Sequence, residues 1–274
     1  MGYQKFLSSV GAFAVAICVG VELVAFSFVA SQLRAQSLKV SVTFPPADKS
    51  RRGPARTVGA GGRSTTRSGP GRESGSLMQH SCLASNEPAV AGLTAMAPSN
   101  NVATTVSANP TLFWYVPRTK AKSARLIILD NQTKKFVYQT TLPLQDAPSV
   151  MKLSLPKSVS LEPGKDYLWN LFLICNPARP QDDMLLQGVI ERTELTAEQK
   201  TQLAQATDPL KQAEIYAKAE IWQETLTLLA QLRQERPNDP VVTEAWQELL
   251  ESVELTEIAT EPLMECCKVK DSPQ

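Results

Sequence analysis

Leu161-Glu162-Pro163-Gly164-Lys165-Asp166-Tyr167-Leu168-Trp169-Asn170-Leu171 decides the reading of this chain. A leucine and a Pro-Gly bend stand just ahead of a strand that opens with tyrosine, so the phenol can reach back to the backbone it has left. Side chains alternate along a strand, which puts Tyr167, Trp169, Leu171, Leu173 and Cys175 on one face, expected to be core.

Working outward, residues 93–193 repeat the pattern of short β-branched and aromatic runs punctuated by Pro, Asn and Gly. Strands are expected at Ala103–Val106, Thr111–Val116, Arg125–Asp130, Lys135–Leu142, Val150–Leu155, Asp166–Cys175 and Met184–Arg192. Seven short strands indicate a β-sandwich, and the tyrosine bend resembles the corner of immunoglobulin-like and fibronectin type III domains. Near Thr193 the hydrophobic period changes from strand-like to helical. Thr196-Ala-Glu-Gln199 has capping-box spacing, and Asp208-Pro209 and Asp239-Pro240 each set a good N-cap before a proline that is harmless at the first helical position. Between them Ala213, Tyr216, Ile221-Trp222, Thr225, Leu229, Leu232 and Pro237 resemble one tetratricopeptide unit, although Leu232 stands where a small residue is usual. The expected fold class is therefore α+β, an immunoglobulin/fibronectin III-like β-sandwich followed by a small tetratricopeptide-like helical module. One such unit cannot bury its apolar face alone, so it is closed by the Asp239–Ser252 helix with Trp246, by the sandwich, or by both.

Five segments follow. Residues 1–36 read as a signal peptide or N-terminal anchor: Lys5 precedes an apolar run from Phe6 to Val21, and Glu22 disfavours a permanent span. Residues 37–79 read as a basic Gly/Ser/Pro-rich linker with eight Lys or Arg against Asp48 and Glu73, a solvated spacer able to touch an anionic surface. Residues 80–193 are the sandwich, 194–258 the helical module and 259–274 a tail. Residues 193–274 carry sixteen acids against seven bases, the opposite bias to the linker.

Catalytic patterns are missing. The single histidine, His80, closes the linker, so a Ser-His-Asp or Cys-His pair would rest on a loosely held residue. The chain contains no phosphate loop, no dinucleotide fingerprint and no Cys-x-x-Cys pair. Asp182-Asp183 offers oxygens for calcium but reads as a solvated turn. The expectation is no enzyme, no cofactor and no metal. Phe113-Trp114-Tyr115 could display a sugar-stacking platform, although core is the better account of it. Without Cys18 four cysteines remain, Cys82, Cys175, Cys266 and Cys267, with three connectivities. The expected disulfide is Cys82–Cys175, tying the entry of the sandwich to a central strand.

Taken in order, Pro54-Ala-Arg-Thr-Val-Gly-Ala-Gly-Gly-Arg63, Leu93-Thr-Ala, Pro110-Thr-Leu-Phe-Trp-Tyr-Val-Pro117, Tyr167-Leu-Trp, Ile174-Cys-Asn-Pro177, Gly188-Val-Ile-Glu-Arg192 and the Trp222 helix pair resemble a cyanobacterial family, domain of unknown function 928. The resemblance spans about residues 54–258 and implies export and this layout, with no catalytic residues to carry over. The functional expectation is an exported periplasmic or envelope protein acting as a non-enzymatic interaction or scaffold module. An unknown envelope protein would bind through the helical module at Tyr216, Trp222 and Trp246, an anionic surface could meet the basic linker, and no nucleic acid is expected. The alternative is a carbohydrate-binding β-sandwich.

Overall fold

Tyr167 is 3% exposed, and its hydroxyl accepts a hydrogen bond from the backbone N–H of Glu162 at 2.8 Å. Gly164, at a φ of 73°, makes the bend between them in a conformation that only glycine adopts without strain. The computed structural model describes residues 40–58, 82–83, 92–144 and 147–265. The expected leader at 1–36, linker residues 59–79, His80 and the Cys266-Cys267 pair lie outside the described residues.

Ten strands are described: β1 (Thr57–Val58), β2 (Leu93–Ala95), β3 (Val102–Thr105), β4 (Thr111–Val116), β5 (Ser123–Asp130), β6 (Phe136–Pro143), β7 (Ser149–Ser154), β8 (Asp166–Leu173), β9 (Met184–Arg192) and β10 (Leu263–Glu265). They form two five-stranded sheets, in the orders β1-β2-β4-β7-β10 and β3-β9-β8-β5-β6. Pairing is antiparallel except between β10 and β7 and between β3 and β9. Both sheets contribute to one buried core, and β1 and β2 approach β9 across it. On β8, Tyr167, Trp169, Leu171 and Leu173 are all buried, as strand alternation requires. Gly188 of β9 sits opposite Trp169 because a Cβ there would come within 2.4 Å of the indole.

Four helices follow the sheets: α1 (Ala197–Gln205), α2 (Pro209–Lys218), α3 (Trp222–Glu235) and α4 (Pro240–Ser252). Thr196 and Gln199 exchange both bonds of a capping box, and the carboxylates of Asp208 and Asp239 accept from the amides of Leu210 and Val241. Among the described residues no helix is long and apolar enough to cross a membrane. The helices pack on the sheets as well as on each other. Helix α3 lies against β3 and β4, the Trp222 indole N–H donates to the Met96 carbonyl at 2.8 Å, and Trp246 donates to Ala259 at 3.0 Å. The described residues therefore form a single compact unit, with no break at Thr193.

Two segment expectations need correction. The described part of the linker, residues 40–58, is not a solvated spacer. Val42 is fully buried, Phe44 meets the Trp222 ring edge-on at 5.1 Å, its amide donates to Ser252 Oγ, and Thr57 and Val58 extend the first sheet. Alternating Val40, Val42 and Phe44 place their side chains inward, so a short apolar strap precedes the polar stretch. The tail is also partly ordered into the fold. Ile258 and Ala259 are buried, and residues 263–265 add β10 beside β7.

Candidate functional site: the Tyr216 cleft

Proximity of the helical layer to the turn between β3 and β4 leaves a cleft of about 310 Å³ whose walls include Ser107, Asn109, Tyr216, Gln223, Glu224 and Leu228. Glu224 organises it. Its Oε1 accepts from Thr105 Oγ1 at 2.7 Å and from the amides of Val106 at 3.2 Å and Ser107 at 3.1 Å, so one carboxylate oxygen of α3 fixes the whole turn. Burial raises the Glu224 carboxyl above its ordinary value against the lowering effect of those bonds. Oε2 of Glu224 and Oε1 of Gln223, which is 4% exposed, have no hydrogen-bond partner among the described residues. The Tyr216 phenol is held up by burial and then by the nearby Glu224 charge, so it stays protonated and able to donate.

Asn109 spans the floor of the turn, donating from Nδ2 to the carbonyls of Pro156 at 3.0 Å and Val159. Gln212 is anchored through Nε2 to the Ala206 carbonyl at 2.7 Å. The lining is thus rich in amide and hydroxyl groups around one aromatic ring, suited to hydrogen bonding with a polar segment. Among the described residues no three His, Cys, Asp or Glu side chains gather to hold a metal ion.

Of the three residues expected to meet a partner, only Tyr216 reaches the surface. Trp222 and Trp246 are 0% and 1% exposed and belong to the core. Helical spacing could not reveal this, because the face that meets the sheets is set by tertiary packing. The sugar platform fails for a related reason. Phe113, Trp114 and Tyr115 are 2%, 0% and 1% exposed, since one face of β4 is covered within the sheets and the helical layer covers the other. Asp182 pairs with Arg179 at 3.3 Å, and Asp183 accepts from the Cys175 amide at 3.1 Å, so both turn acids have protein partners.

Cys82 and Cys175 are bonded to each other across 93 residues, with Cα atoms 4.9 Å apart. Glu224 escaped the sequence reading because a glutamate in a helix looks like any solvated acid. The strap had a signal, the alternation from Val40 to Phe44, masked by the arginines, prolines and glycines that follow.

The model of the family Domain of Unknown Function (DUF928) matches residues 65–263. No curated protein matches the chain. Among solved structures, CopC from Methylosinus trichosporium OB3b is similar at 15% identity and a TM-score of 0.25, over 38% of this chain and 98% of that one.

Proposed function

We propose, from the premise that this chain belongs to the Domain of Unknown Function (DUF928) family, that it is an exported cell-envelope protein of cyanobacterial origin. In this reading it is a non-enzymatic interaction module that engages a partner protein at the Tyr216 cleft. Its sheets form an immunoglobulin/fibronectin III-like sandwich, a reading supported by the hydrogen bond from Glu162 N–H to the Tyr167 hydroxyl. Its α2–α3 pair is tetratricopeptide-like, supported by the packing of α2 on α3 and by buried Ala213, Trp222, Thr225 and Leu229 at the unit's offsets.

One observation carries the functional reading. The cleft brings a half-buried aromatic residue beside two buried oxygens without partners among the described residues, an arrangement that rewards a donor-bearing peptide. The membership of the cleft in both layers means that a bound segment would touch the sheet turn and the helices together. Site-specific photo-cross-linking from position 212 in cells tests this. A discrete envelope protein should be captured and should vanish in Tyr216→Ala with the melting temperature kept. An unchanged cross-link in that variant rejects the cleft, and recovery of the protein from the cytoplasmic fraction rejects export.

A further inference from the structure

The strap closes a second cavity, of about 550 Å³, between its own Pro45–Arg56 stretch, the turn at Ser99-Asn100 and the end of α4 at Ser252–Glu254. Among the described residues its wall carries Lys49, Arg51, Arg52 and Arg56 against a single acid, Glu254. These four cations do different things. Arg56 is structural: its guanidinium donates to the carbonyls of Ala97 at 3.1 Å, Val253 at 2.6 Å and Glu254 at 3.2 Å, capping the carbonyl end of α4 with positive charge. Arg51 is bound to Glu191 of β9. Lys49 and Arg52 are exposed and make no hydrogen bond or ion pair among the described residues.

The loop that presents them is already fixed. Gly53 N–H donates to the Asn100 carbonyl at 2.8 Å, Asn100 Nδ2 to Asp48 at 3.2 Å and Asn101 Nδ2 to Pro54 at 2.9 Å. A Cβ at Gly53 would come within 2.4 Å of the Asn101 carbonyl oxygen, so the strap lies directly on the turn. The one nearby acid of the strap, Asp48, accepts from the amide and the hydroxyl of Ser50, both at 2.8 Å, and those bonds lower its carboxyl from the ordinary value. Ordering in advance reduces the entropy a ligand must overcome.

We propose that this cavity is a binding site for an organic oxyanion of about sugar size, held by Lys49 and Arg52 through carboxylate, phosphate or sulfate oxygens. The chemistry follows from the two free cations: the planar guanidinium fork takes two oxygens of one anionic group, and the ammonium supplies a second point of charge. The volume falls within the range of about 300–1,000 Å³ usual for small-molecule sites, more than a lone inorganic anion fills. Arg56 holds the carbonyl end of α4 away from the ligand electrostatically, which would otherwise repel an anion.

Calorimetric titration of the full chain tests the proposal with three probes: trigalacturonate, fructose 1,6-bisphosphate and neutral maltotriose. At least one anionic probe should bind and maltotriose should not, the productive anion showing whether carboxylate or phosphate is preferred. Lys49→Ala with Arg52→Ala should weaken that binding about tenfold or more, the scale of losing charge-assisted bonds. Lys157→Ala with Lys200→Ala, an equal charge change at exposed positions away from the cavity, should leave it within about twofold. Melting temperatures of both pairs should match the parent. The proposal is overturned if neither anion binds, if maltotriose binds as well, or if the control pair weakens binding equally.

Discussion

Trp222→Ala removes the side chain on which strap, sheets and helices converge. The indole is fully buried, donates to the Met96 carbonyl at 2.8 Å and receives the Phe44 ring edge-on at 5.1 Å, while its backbone amide donates to Thr104 Oγ1 at 3.1 Å. Truncating a buried tryptophan costs about 3–5 kcal/mol. Taking the donor from a buried carbonyl adds about 1–3 kcal/mol. The expected loss is therefore about 5 kcal/mol, comparable with the whole stability of a marginal domain at about 5–15 kcal/mol. Trp222→Phe keeps most of the ring and loses the N–H, so it should cost about 1–3 kcal/mol and remain measurable. Native-state amide exchange read by mass spectrometry reports α4 and β8 peptides separately. If the helices and sheets share one core, Trp222→Phe lowers the protection of both by the same amount. Protection lost from α4 alone, with β8 unchanged, would rule out a shared core and restore a separable helical module.

Three further outcomes follow from single contacts. Tyr167→Phe removes the acceptor of the Glu162 amide and should lower stability by about 1 kcal/mol in urea unfolding, without altering the m-value. Glu224→Gln tests the buried carboxyl. Because burial raises its folded pKa above the ordinary 4.5, the folded state binds more protons there than the unfolded state, and the stability it contributes is lost as pH rises through the folded value. The variant should thus gain stability relative to the parent as pH rises from the ordinary 4.5 through the raised folded value, and a difference that stays constant with pH would count against the assignment. Reduction of Cys82–Cys175 opens a loop closed across 93 residues, which the chain-entropy account values at about 4–5 kcal/mol, so the melting temperature should fall clearly in reductant.

Much of the sheet pair was legible because its signals are local. The Pro163-Gly164 bend, alternation along Tyr167–Leu173 and proline-bounded runs such as Thr111–Val116 each specify a strand without reference to distant residues. The helix starts were equally plain, since Thr196, Asp208 and Asp239 act within one turn of themselves. What was hidden depends on contacts far apart in the chain. Strap residues Val42 and Phe44 are ordered by α3 and α4, about two hundred residues away, and β10 exists only through β7. The same limit explains the site. Tyr216, Trp222 and Trp246 each lie in a helix-spaced apolar pattern, but only the position of the sheets decides that two are buried and one reaches the surface.

The unity of sheets, strap and helices is tested most directly by ending the chain after Thr193 and recording an amide correlation spectrum. Removing α3, α4 and β10 uncovers β3, β4 and β7 together with Met96 and Phe44, so the shortened chain is expected to lack dispersed resonances and a cooperative thermal transition. A soluble fragment with a dispersed spectrum and a sharp transition would contradict the account.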